Sequence, residues 1–142
     1  MTAIPNPFIG SWTYRSLLND PDVSTDFDAL EFGRASLVID QDAAGSLTGT
    51  IGGPGWSLTL YGGFGFGSSQ GAVFRGTGLV SGETWIYDYQ AWLVPIWQNS
   101  SASLQRPALV GSVTRVIPHS GGTPGSVAPA GVVASIYAVK QG

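Results

Sequence analysis

Apolar residues recur along this chain in short runs with a period near two, and almost nowhere at helical spacing. Such runs lie at 9–16 (IGSWTYRS), 34–40 (RASLVID), 46–51 (SLTGTI), 55–61 (GWSLTLY) and 71–80 (GAVFRGTGLV). Three more follow at 83–94 (ETWIYDYQAWLV), 107–117 (PALVGSVTRVI) and 131–139 (GVVASIYAV). Turn signals fall between them: DAAG at 42–45, GGPG at 52–55 and SGE at 81–83. Eight strands of that length, mostly joined by tight turns, predict an all-β fold, an eight-stranded antiparallel up-and-down (meander) barrel. A two-sheet sandwich is the alternative. Closing eight strands leaves an interior for side chains or for one small ligand.

Two segments depart from the pattern. Residues 17–33 (LLNDPDVSTDFDALEFG) hold five of the nine acids and predict a short acidic helix, a lid after the first strand. Thr25 would cap it, Phe27 and Leu30 would share a face, and Gly33 would end it. Residues 118–130 (PHSGGTPGSVAPA) predict a Gly/Pro-rich loop before the last strand. With 142 residues and no second domain or repeat, 1–142 reads as a single β-barrel domain.

Composition narrows the function classes. Six Lys and Arg against nine Asp and Glu, scattered rather than clustered, argue against nucleic acid. Charged residues make up only 11% of the chain, which suggests that part of the surface is covered by another copy in a homodimer or higher homo-oligomer. No Cys is present, so no disulfide or thiolate chemistry is available, and a single His excludes a multi-His metal site. No apolar run is long enough for a spanning helix and no signal-peptide pattern appears, so no membrane association is expected and the chain reads as cytoplasmic.

The opening NPFIGSWTY at 6–14 resembles the Gly-x-Trp start of the calycin superfamily of lipocalins, fatty-acid-binding proteins and avidins. DAAGSLTGTI at 42–51, WLV at 92–94 and ALVGSVTRV at 108–116 are similar to the second hairpin, the Trp-bearing strand and the closing strand of the avidin branch. The Gly-rich stretch at 62–78 also resembles allene oxide cyclase barrels. The calycin resemblance implies a meander barrel whose open end holds a small organic molecule. It does not imply biotin. Where avidins place an Asn and a Ser after the first Trp this chain has Tyr14 and Leu18; Ile51, Gly53 and Val113 replace further polar ligands.

Several local patterns carry chemistry elsewhere. From Asp20 an EF-hand register places Asp20, Asp22, Ser24, Asp26, Asp28 and Glu31 at ligand positions, but Thr25 stands where the sharp turn needs Gly. The plainer reading is a solvated acidic lid, with no metal. GSSQG around Ser69 matches a nucleophile elbow but lies between two strands, without the helix that the mechanism needs. GGFGFG lacks the helix that would meet a phosphate. Asn99 heads a glycosylation sequon, which matters only in a secreted protein. His119, at a strand end, is either solvated or a general base at the barrel mouth. Trp12 is expected to plug the closed end beneath Arg115 or Arg15.

The strand at 83–94 is the richest. Alternation divides it into Trp85, Tyr87, Tyr89, Ala91 and Leu93 on one face, and Ile86, Asp88, Gln90, Trp92 and Val94 on the other. Burying the first face is the ordinary arrangement. The avidin likeness implies the reverse, with Trp92 turned into the ligand site. The reversed arrangement is the expectation here: Tyr14 and Trp92 stack on a small apolar or aromatic molecule, while Arg75, Asp88 and Gln90 orient it. The alternative function is a cofactor-independent isomerase, cyclase or lyase, with a buried Asp88 as acid or base. A third is an assembly protein whose barrel is filled by its own side chains. No cofactor is implied.

Overall fold

A computed structural model of the chain describes residues 6–65, 70–94 and 105–141. Strands β1 (Gly10–Leu18), β2 (Glu31–Gln41), β3 (Leu47–Gly53), β4 (Trp56–Phe64), β5 (Gly71–Val80), β6 (Glu83–Val94) and β7 (Ala108–Arg115) follow in order. A small hairpin, β8 (His119–Ser120) and β9 (Val127–Ala128), precedes β10 (Val133–Val139). Eight strands close in the order β1-β10-β7-β6-β5-β4-β3-β2, every pairing antiparallel. This is the expected all-β meander barrel, and each expected strand matches an observed one. β1 bonds both β10 and β2, so the sheet has no free edge.

The turns form for local reasons. Asp42 accepts the N–H groups of Ala44 and Ser46 at 3.0 and 2.9 Å, and Gly45 takes the left-handed φ of 88° that closes the turn. Between β5 and β6, Ser81 and Gly82 both have positive φ, 51° and 82°, the backbone of a two-residue hairpin turn that suits twisted strands.

The barrel narrows at the end where β1 begins. Trp12 is fully buried there, donating from Nε1 to the Phe8 carbonyl at 3.0 Å, and Phe8 packs on Phe64 with centroids 5.8 Å apart. The cation over Trp12 is Lys140, 5.7 Å from the ring centre, and not Arg115 or Arg15. A bridge between Trp12 and Lys140 brings these two together, whereas Arg15 faces outward and Arg115 lies at the other end. Above this plug, Leu37, Ile51, Leu60, Phe74, Leu109 and Ile136 fill the lower half and leave a gap of only about 20 Å³.

The acidic segment is not the expected helix. Only a single 3-10 turn forms, Phe27–Leu30, and Thr25 donates to Asp20 instead of capping it. Phe27 is 84% exposed, and Gly33 lies inside β2 rather than ending a helix. The carboxylates compete for the backbone: Asp20 accepts the Asp22 N–H, and Asp22 accepts the Ser24 N–H and hydroxyl. Those Ser24 bonds hold the Asp22 carboxyl below its usual range. Among the described residues no cluster of three or more acids or His is placed to hold a metal ion, and no helix is long and apolar enough to cross a membrane.

The Gly/Pro stretch before the last strand is more ordered than a loop. Gly121 and Ser126 bond across β8–β9, and the Ser126 hydroxyl closes the turn on the Thr123 carbonyl at 2.6 Å. Ser69 and the sequon at Asn99 lie outside the described residues.

Close strand pairing requires glycine at Gly49, Gly62 and Gly111, where a Cβ would collide with the carbonyl oxygen of Val38, Val73 and Gln90 respectively on the neighbouring strand. Gly111→Ala should therefore lower stability by about 2 kcal/mol or more, read as a shift in the urea midpoint. An unchanged midpoint would show that the closely spaced backbone can relax.

Candidate functional site

The upper half of the barrel is open where the lower half is filled. A cavity of about 210 Å³ is lined by Tyr14 and Ser16 of β1, Phe32 and Gly33 of β2, Trp56 and Leu58 of β4, Trp85, Tyr87 and Tyr89 of β6, Val113 and Arg115 of β7, and His119. Tyr14 and Tyr89 meet edge to face at 6.2 Å and also line the small gap below, so they form its floor.

The ordinary arrangement of β6 prevails over the expected reversal. Tyr87, Tyr89 and Ala91 are buried, at 6, 6 and 2% exposure. Asp88, Gln90 and Trp92 face outward; Trp92 is 41% exposed, and Asp88 forms a bidentate ion pair with Arg75 on the outer wall, at 2.8 and 3.0 Å. The cause is registry. Tyr89 stands opposite Phe74 on one side and Val113 on the other, both inward. Turning Asp88 inward would bring Arg75 and Thr114 with it and expel the apolar layer. Of the expected site residues, only Tyr14 lines the cavity; Arg75, Asp88, Gln90 and Trp92 do not. Asp88 is not a desolvated acid, since its side chain is 42% exposed.

The polar groups of the cavity form a chain that strand-by-strand reading missed. Arg115, 8% exposed, donates from Nε to the Tyr87 hydroxyl at 3.0 Å and from Nη1 to the Pro129 carbonyl at 3.1 Å. Tyr87 in turn meets His119 Nε2 at 2.6 Å. His119 Nδ1 lies 2.9 Å from the Ser120 carbonyl, which can only accept. That contact places a proton on Nδ1; in the neutral imidazole Nε2 is then the acceptor and Tyr87 the donor of the short bond. His119 is buried, not solvated, and stacks on Trp85 at 4.0 Å and 11°. The β8–β9 hairpin that carries it is pinned beside β6 by the bond from the Ser120 N–H to Glu83 at 3.2 Å. Phe32 and Tyr87 present their faces to the Arg115 guanidinium at 5.1 and 5.7 Å.

Two signals in the sequence could have located this chain. Arg115 falls on the inward parity of β7 with Val113, and His119 follows it by four residues.

No family model, curated protein or solved structure matches the chain.

Burial raises the Tyr14 and Tyr89 hydroxyls well above the ordinary phenol range. A bond with Ser16 partly offsets this at Tyr14, and the neighbouring tyrosines reinforce it at both. As pH rises past about 10 the unfolded chain loses these protons before the folded one does. Their contribution to stability is thus complete below pH 10 and declines above it. Thermal melts should fall through the alkaline range, and Tyr14→Phe should flatten that fall. An equally steep fall in the variant would assign it to other groups.

Proposed function

We propose that the barrel binds one small, largely apolar or aromatic organic molecule in the cavity at its open end. One observation carries this reading: the lower barrel is packed to a gap of about 20 Å³, while the upper half keeps about 210 Å³ walled by Phe32, Trp56, Trp85, Tyr87 and Tyr89. A core requirement alone would close such a space, because unfilled apolar volume destabilises. The volume lies below the roughly 300–1,000 Å³ of drug-sized sites. The occupant is correspondingly compact. The closed meander with its buried Gly-x-Trp plug supports the calycin-like reading of the fold. The outward residues Trp92, Val110 and Tyr137, paired successively across β6, β7 and β10, support self-association through that wall.

Indole is a suitable neutral probe. Calorimetric titration should show one site per chain, and Val113→Phe, which grows into the cavity, should weaken binding at least about tenfold while the protein stays folded. Asp88→Asn and Trp92→Ala, both on the outer wall, should leave indole affinity unchanged. Indole that fails to saturate the protein, or binds Val113→Phe equally well, would remove the reading.

A cofactor-independent enzyme is the second reading, and the 2.6 Å Tyr87–His119 bond favours it. Here Asp88 yields the acid–base role to that pair. Tyr87 would take a proton from a bound molecule as its own proton passes to His119 Nε2. His119→Gln would then abolish turnover while retaining indole binding.

A further inference from the structure

The cavity contains a buried cation with no anion to meet it. Arg115 is 8% exposed, and no carboxylate among the described residues lies within ion-pair distance of it. The ion pairs among those residues, Arg34–Glu31 and Arg75–Asp88, involve side chains 42–71% exposed. Among the described residues no Asp or Glu lines the cavity, and the guanidinium is met by neutral groups: the Tyr87 hydroxyl, the Pro129 carbonyl and the faces of Phe32 and Tyr87. Two of its three nitrogens are occupied by these bonds, and Nη2 makes none with the described residues. A buried charge without its counter-charge is unfavourable, as it is when one partner of a buried ion pair is removed.

Tyr87 and His119 supply no negative charge; their polar atoms bond Arg115, each other and the Ser120 carbonyl. What the site still requires is one negative charge. The planar fork of an arginine is matched by a carboxylate. A phosphate dianion fits less well, since among the described residues Arg115 is the one Lys or Arg that lines the cavity. The flat walls of Trp56, Trp85 and Phe32 suit a ring or a short apolar body behind the acid group.

Resting on the binding function above, we propose that the ligand is a compact aromatic or apolar carboxylic acid whose carboxylate is held by Arg115 at the barrel mouth. Arg115 then has two tasks. Nη1 ties the segment after β9 to the rim through Pro129, and the remaining edge recognises the acid.

The test compares indole-3-acetate with indole-3-acetamide, which differ little in shape but differ in charge, by calorimetric titration of the intact protein. The acid should bind at least about tenfold more tightly than the amide. Arg115→Gln should remove most of that preference, the acid losing far more affinity than the amide, and Arg115→Lys should retain part of it. Should Arg115→Gln fail to fold, the wild-type ratio and Arg115→Lys still decide. Equal affinities for acid and amide would overturn the carboxylate assignment and leave the indole-binding reading standing. A preference that survives in Arg115→Gln would overturn it as well, by placing the acid group elsewhere. If indole, the acid and the amide all fail to bind at millimolar concentration, the binding reading and this inference fall together.

Discussion

Ring closure governs this molecule. Once β1 bonds β10 as well as β2, every barrel strand has two neighbours, and the inward parity of each must agree with both. No strand can choose its facing alone. Tyr89 is inside because Phe74 and Val113 are inside, and those are inside because their own partners are. The Trp/Tyr face of β6 therefore faces the cavity, and its Asp88 pairs across the outer wall with Arg75.

This constraint also separates what was legible in the chain from what was not. Strand positions were readable, since a period of two and turn residues such as Asp42, Gly45, Ser81 and Gly82 are local signals. The facing of β6 was not, because both of its faces carry aromatics and periodicity is blind to which one turns inward. Cross-strand registry decides it, and registry is non-local. The acidic segment misled for a different reason. Helical spacing of Phe27 and Leu30 was outweighed by Asp20 and Asp22, whose carboxylates bond nearby backbone N–H groups. Tyr14 lines the cavity because it shares the inward face of β1 with the buried Trp12 two residues earlier.

The cavity follows from an uneven distribution of side-chain volume along the barrel axis. Near the closed end, Trp12, Phe8 and Leu47 fill the cross-section completely. Further up, the rings of Trp56 and Trp85 lie 6.4 Å apart with the indole of Trp85 flat on His119, so the large groups stand at the rim instead of meeting at the axis. Gly33 belongs to the same lining and contributes no side chain to it. A barrel selected only for stability would fill this region with branched aliphatics, as the lower half does with Leu37, Ile51 and Leu60.

Arg115 links the packed barrel to the open site. Its backbone is the last residue of β7, bonding Val132 and Gly131, so the strand delivers the guanidinium to the rim while still inside the ladder. From there it orders the segment after β9 through Pro129, orients Tyr87, and through Tyr87 sets the direction of the bond to His119. A buried cation in that position stabilises the hairpin but leaves its own charge uncompensated. The two facts share one physical origin, the placement of a cation at the end of β7 inside the rim. The rim is complete as a scaffold, while its guanidinium meets no carboxylate among the described residues. The proposed carboxylate would answer that asymmetry, since open volume and an uncompensated charge coincide in the same cavity.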